Sequence, residues 1–253
     1  FEHKYRVVYS IVESVKNLDD IAHPVVKAIL KTGKYGKGLE IHHDGDLPAR
    51  AGLGSSSSFA VGLVHALKTL NKEVLSKHEM ALSAINIEQN IIRENVGSQD
   101  QIAAAYGGFN QINFHQNEKI EVSKILFPEN KEKELNNHLM LFFTGITRMA
   151  SEIAEVQINN IKTKKTELQE MNEMVDEGIK ILNSSTLPLE DFGKLLHKSW
   201  LIKKTLSPII SNQAIDEIYS EAMKNGAIGG KILGAGGGGF ILFFVKPENQ
   251  QNF

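Results

Sequence analysis

The sequence predicts an α+β fold in two domains, and three observations carry that prediction. Segments of strand and helix character mix in both halves of the 253-residue chain, which fits separate α+β units better than one doubly wound sheet. A charged stretch, Glu129 to Glu134, separates the halves and sets the expected boundary, giving domains over residues 1–130 and 131–253. Two glycine-rich runs, Pro48 to Ser58 and Gly229 to Gly239, each adjoin a regular element, the first a helix and the second a strand.

Taken in order, Tyr5 to Val12 alternates or runs β-branched and reads as a strand, as does Leu39 to His43, with a short helix over His23 to Lys31 between them. The apolar stretch Phe59 to Leu70 follows the first glycine run as a helix. Lys77 to Asn95 carries Met80, Ala84, Ile87, Ile91 and Ile92 at helical spacing, so one face is expected to be buried before the helix ends near Val96-Gly97. Phe109 to Phe114 and Lys119 to Leu126 read as two strands around the polar turn His115-Gln116-Asn117-Glu118. The second half opens on the strand His138 to Thr144 and continues into one long helix, Ala150 to Asn183, whose charges read as a solvated face. Helices over Leu189 to Leu206 and Asn212 to Asn225, the second glycine run and the strand Phe240 to Val245 complete the chain.

Composition narrows the function classes. With 42% hydrophobic and 23% charged residues the chain is ordinary for a globular protein, and a net charge of −2 argues against a surface evenly basic enough for nucleic acid. Zero cysteines exclude disulfides and thiolate metal sites. No run of about 18 apolar residues predicts a membrane span. The start, Phe1-Glu2-His3-Lys4-Tyr5, does not read as a signal peptide, so the cytoplasm is the expected compartment. His42, His43, His65 and His115 show no zinc spacing. No oligomeric state follows from the sequence.

The run Pro48-Ala49-Arg50-Ala51-Gly52-Leu53-Gly54-Ser55-Ser56-Ser57-Ser58 holds the strongest chemical signal. A glycine turn that empties into a helix start aims several backbone N–H groups at one spot with the positive end of the helix dipole behind them, and such a spot binds phosphate. It is not a Walker A loop, which ends in Gly-Lys-Ser/Thr. A flexible Ser-rich linker is the alternative, but a strand-like Gly38 to His43 before it and an apolar helix after it favour the anion site. Glu88 lies among Ala84, Ile85, Ile87 and Ile91, where a charge is costly unless paired or metal-bound, although helical geometry alone leaves open that it faces water. Asp100, at the start of a small-residue run, either caps a helix or accepts a hydroxyl proton in phosphoryl transfer. The second glycine run either serves packing or closes over the same site with its N–H groups. Arg148, at a strand end, either holds an anionic substituent or is an ordinary surface arginine.

These residues resemble the GHMP kinases, the family named for galactokinase, homoserine kinase, mevalonate kinase and phosphomevalonate kinase. Pro48 to Ser58 is similar to its Pro-x-x-x-Gly-Leu-Gly-Ser-Ser loop, Glu88 with Gly97-Ser98-Gln99-Asp100 to its metal carboxylate and catalytic aspartate, and Lys231 to Gly239 to its C-terminal glycine motif. The resemblance implies a ribosomal-protein-like β-α N-terminal domain and a ferredoxin-like C-terminal domain. It implies ATP and Mg²⁺ as cofactors, with Gly52, Leu53, Gly54, Ser55, Ser56 and Ser57 cradling the ATP phosphates, Ser56 and Glu88 binding Mg²⁺, Asp100 as the base or acceptor-orienting carboxylate, and Gly236 and Gly237 lining the site. Val96 to Gln101 with Tyr106 to Asn110, Phe143 to Arg148 and Lys198 to Lys204 most resemble the D-glycero-D-manno-heptose 7-phosphate kinase branch, which phosphorylates the anomeric hydroxyl of a sugar phosphate. Arg148 and Lys203 or Lys204 would then hold the phosphate already present. The expected partner is a small sugar or sugar-phosphate acceptor, with no nucleic acid and no membrane. A galactokinase-like or fucokinase-like kinase, or a nucleotide or sugar sensor on the same scaffold, are the alternatives. The family's N-terminal strand and Gly-Gly-Gly-Thr-Asp-like motif are not found before Tyr5, and members extend beyond Val245, so the chain reads as trimmed at both ends.

Overall fold

Three short strands in the first part of the chain pair into one sheet. The computed structural model describes residues 4–36, 38–48, 51–147 and 150–253. Tyr5–Val8 (β1) and Val12–Val15 (β2) form an antiparallel hairpin with Tyr5 opposite Val15. The strand expected over Tyr5 to Val12 is therefore two strands, because the chain reverses at Tyr9, whose amide donates to the Ile11 carbonyl at 2.9 Å. Pro24–Thr32 (α1) starts on His23, whose Nδ1 accepts from the Val26 amide at 3.5 Å, with Pro24 supplying a pre-set φ at the first helical position. Leu39–His42 (β3) returns parallel to β1, Tyr5 beside Leu39, giving the order β2-β1-β3.

Ser55–Leu70 (α2) packs on α1 and on Lys77–Ile85 (α3), and Ser76 and Glu79 cap α3 reciprocally. Val7, Val26, Ile29, Ala60, Val64, Leu67, Ala84 and Ile87 form the core of this part. The helix expected over Lys77 to Asn95 is α-helical only to Ile85. Asn86–Ile91 is a π turn, closed by the Ile92 amide on the Ile87 carbonyl at 2.9 Å, and Arg93, at φ +62°, ends it. Such one-turn π segments re-aim a side chain inward, here Glu88. Gln99–Tyr106 (α4) and the hairpin Asn110–Phe114 (β4) and Ile120–Lys124 (β5) follow.

The chain divides into two compact units, the first holding residues 1–49 and 54–121 and the second 50–53 and 122–253. In the second, the charged stretch Glu129 to Glu134 is not a bare separator: it contributes to a helix, Lys131–His138 (α5), anchored by buried Leu135 and by the Lys131 Nζ donating to the Leu187 carbonyl at 3.0 Å. Leu139–Phe143 (β6), Ala227–Ile232 (β7) and Phe240–Val245 (β8) form an antiparallel sheet in the order β6-β8-β7.

The single helix expected from Ala150 to Asn183 is broken into Ala150–Asn160 (α6), a 3₁₀ turn Ile161–Thr163, and Lys165–Asn183 (α7). Polar side chains compete with the helical ladder at the break: Thr163 Oγ1 donates to the Asn160 carbonyl at 2.9 Å, and Asn160 Nδ2 reaches the Leu206 carbonyl at 3.0 Å. Glu190–Thr205 (α8) and Gln213–Lys224 (α9) pack on β7 around Trp200, Ile210, Ile215, Tyr219, Ile232, Ile241 and Phe243. Gly229 and Gly230, expected in a loop, lie inside β7, where a Cβ on Gly229 would fall 1.9 Å from the Gly193 carbonyl oxygen of α8. Only glycine permits that helix–strand approach.

Candidate functional site

The helix start after the first glycine run lacks a side-chain cap. Gly54 stands at its N-cap in the left-handed conformation, φ +68°, and the Ser58 amide is the first to bond back, to the Gly54 carbonyl at 2.9 Å. The first-turn amides of Ser55, Ser56 and Ser57 thus keep the anion-binding character that an uncapped N-terminus has.

Below that turn sits Glu88, 0% exposed, drawn in by the π turn. Its Oε1 accepts from Ser56 Oγ at 3.1 Å, and its Oε2 accepts from Ser57 Oγ at 2.9 Å and from Gln101 Nε2 at 2.5 Å. All three donors are neutral, so the carboxylate has hydrogen bonds but no cationic partner among the described residues. The sequence left Glu88 between facing water and facing a partner, and the structure places it inward. An exposed serine hydroxyl touching a buried carboxylate is a hard-oxygen donor set suited to Mg²⁺. Among the described residues no group of three or more His, Cys, Asp or Glu forms a metal cage.

Asp100 occupies the first turn of α4, whose N-cap is Ser98, so it is not the capping residue. Its carboxyl lies against Gly54: a Cβ on that glycine would meet Asp100 Cγ at 3.1 Å. The side chain keeps access to solvent, yet crowding by surrounding atoms, and then the charge of Glu88, raises its pKa above the ordinary 3.8. Burial and Glu88 likewise raise the Glu94 carboxyl. Gly54→Ala is expected to impose left-handed strain of roughly 1–2 kcal/mol and to push Asp100 aside. Thermal melting and turnover of the variant check this together, and both should fall.

In the second unit, Ala51 and Gly52 are held by the second glycine run. The Phe240 amide donates to the Ala51 carbonyl at 3.1 Å, and a Cβ on Gly52 would meet the Leu233 carbonyl oxygen at 3.0 Å. Leu53 is half-buried. The Gly237 amide donates to the Ile210 carbonyl at 2.8 Å, whereas the amide of Gly236, at φ +113°, has no acceptor among the described residues. Lys203 is 8% exposed with its Nζ 2.6 Å from the Gly234 carbonyl, and Lys204 pairs with Asp216 at 3.0 Å, so both lysines expected to hold a phosphate are engaged within the chain. Arg148 lies outside the described residues.

Sequence reasoning missed Gln101 and the second serine contact. A polar residue heading the run Ile102-Ala103-Ala104-Ala105 is the signal that could have found Gln101, since a buried polar side chain needs a partner.

The family described as GHMP kinases N terminal domain matches residues 20–108, and GHMP kinases C terminal matches 186–253. The D-glycero-alpha-D-manno-heptose 7-phosphate kinase of Campylobacter jejuni is 37% identical over 217 residues, covering 85% of this chain and 63% of its own length. The chain thus spans somewhat under two thirds of that relative. A solved structure of a candidate sugar kinase from Campylobacter jejuni is 30% identical with a TM-score of 0.68, covering 98% of this chain and 75% of the other. Mevalonate kinase from Methanococcus jannaschii, 24% identical with a TM-score of 0.73 over 99% of this chain and 80% of its own, shows the same fold. The two-domain α+β architecture and both family matches make the chain a member of the GHMP kinase family.

Proposed function

We propose that this protein is an ATP- and Mg²⁺-dependent sugar kinase that moves the γ-phosphoryl group to the anomeric hydroxyl of D-glycero-D-manno-heptose 7-phosphate. The observation that carries the reading is the Ser56–Glu88–Ser57–Gln101 constellation beneath an uncapped helix start, with Asp100 packed on Gly54. Similarity to a heptose 7-phosphate kinase at 37% identity supports the acceptor.

Gly52, Leu53, Gly54, Ser55, Ser56 and Ser57 form the phosphate cradle in this reading. Ser56 and Glu88 hold the magnesium ion, which supplies charge neutralisation on the phosphates when bound. Asp100 takes the proton of the acceptor hydroxyl as its oxygen attacks. Its raised pKa makes it a better proton acceptor than an ordinary aspartate. Gly236 and Gly237 line the site through the glycine turn, and Arg148 receives the acceptor's existing phosphate. Such catalysis is mainly positioning and electrostatics. Among the described residues no helix is long and apolar enough to cross a membrane.

The test is ADP release with ATP and Mg²⁺ against heptose 7-phosphate, galactose, fucose, mannose and mevalonate. Turnover confined to heptose 7-phosphate supports the proposal. Preference for galactose or fucose replaces the acceptor, and nucleotide binding without turnover on any of them favours a sensor.

A further inference from the structure

The second glycine turn runs from Leu233 to Gly239, and its carbonyls are tied back by side chains from four other segments. Lys203 of α8 donates to the Gly234 carbonyl at 2.6 Å and to Ile232 at 3.4 Å. Gln157 of α6 donates to Ala235 at 2.8 Å, Asn212 to Gly237 at 3.5 Å, and Thr144 Oγ1 to Gly239 at 2.8 Å. The amides of Gly237 and Gly239 are engaged by Ile210 and Ile146, at 2.8 and 2.7 Å. Those of Gly234, Ala235, Gly236 and Gly238 have no acceptor among the described residues. With the carbonyls of Gly234, Ala235, Gly237 and Gly239 held by side chains, the turn presents its remaining N–H groups as a nest for an anion.

Lys203 differs from the other three because it is a buried amine, 8% exposed, with no carboxylate paired to it among the described residues. Burial, and then the neighbouring Lys231, pull its pKa down to about 7. Lys231 is itself depressed by burial. A lysine held there at such cost would be replaced by an apolar residue if packing were its only role. Its bond falls on Gly234, where a Cβ would lie 2.8 Å from Gly52 Cα. The contact is backbone on backbone, so a shift of Gly234 is passed to Gly52 without a side chain to absorb it.

We propose that Lys203 is a positioning residue that straps the second glycine turn and, through Gly234, fixes the first glycine of the phosphate loop. It does not touch substrate; it sets the backbone that does. The catalytic part of this inference rests on the kinase reading above, whereas the structural part does not.

Amide hydrogen exchange on wild-type protein and Lys203→Met tests it. Exchange at Gly237, Gly239 and Phe240 should quicken by roughly tenfold or more, while the β8 core amides of Ile241 and Phe243 stay near their wild-type rates. On an acceptor that the wild type uses, kcat should fall roughly tenfold or more with nucleotide affinity little changed. Unchanged exchange in the turn overturns the strap, as does a uniform loss of protection, which would make Lys203 a general stabiliser. Faster turn exchange with unaltered kcat overturns the catalytic consequence alone. If the wild type has no kinase activity, the exchange result still decides the strap, so its failure and that of the kinase reading remain distinct.

Discussion

Asp100→Asn is expected to cut phosphoryl transfer by roughly 10²–10⁴-fold while leaving nucleotide binding nearly intact. The asparagine keeps the size and shape of the side chain beside Gly54, where an added Cβ would meet Asp100 Cγ at 3.1 Å, so the loss isolates the carboxylate's proton-accepting role. The same substitution should stabilise the fold at neutral pH. A carboxyl whose pKa is raised in the folded state contributes stability that is complete below its unfolded value, near 3.8, and is lost as pH rises through the folded value. Above that window wild-type Asp100 is charged against crowding and against Glu88, a repulsion that the neutral variant lacks. A variant that melts higher and turns over far more slowly matches the account; wild-type turnover would falsify the base assignment. The rate profile follows the same sign, since activity carried by ionised Asp100 should decline on the acid side at a pH above that of an unperturbed aspartate.

Glu88→Gln should weaken magnesium-dependent nucleotide binding by roughly 10- to 100-fold and depress turnover with it. The substitution is well posed because the pocket can accept it. With the amide oxygen at the Oε2 position, it still receives the bonds from Ser57 and Gln101, and the Ser56 hydroxyl can rotate to accept from the new NH₂. Stability should therefore change little while the charge disappears. Titration of nucleotide affinity against Mg²⁺ reads this directly. Unchanged magnesium dependence removes Glu88 from the metal site and leaves it a structural hub for α2 and α4.

Much of this was legible in the sequence because glycine and burial leave strong marks. The glycine turn leading into α2 could be read from backbone needs alone, as Gly52 and Gly54 both adopt positive φ. Helices with a clear apolar stripe, such as α8 and α9, appear within a residue of the expected limits. Breaks set by competing hydrogen bonds were hidden. The apolar spacing from Met80 to Ile92 continues smoothly through the π turn, since what distorts it is Glu88 meeting Ser56, Ser57 and Gln101, contacts 13 to 32 positions away in the chain. The long helix failed for a similar reason at Asn160 and Thr163. Charge also misled at Lys131 to Glu134, where a hydrophilic run folds as α5 because one residue, Leu135, finds a core. Ser56, Glu88 and Asp100 carry charge or loop signatures in the sequence, whereas the neutral partner Gln101 was not legible there and Lys203, read as a phosphate holder, is instead bonded to the Gly234 carbonyl. Their roles depend on what the fold sets beside them.

The central claim is a phosphoryl transfer to one particular oxygen, and phosphorus NMR of the reaction tests it most directly. Incubated with ATP, Mg²⁺ and D-glycero-D-manno-heptose 7-phosphate, the protein should convert ATP to ADP and yield a sugar bisphosphate. Its new phosphorus signal should be coupled to the anomeric proton, and it should be absent with Asp100→Asn. A new phosphate at any other position, or ATP bound and left intact beside the sugar phosphate, would contradict the account.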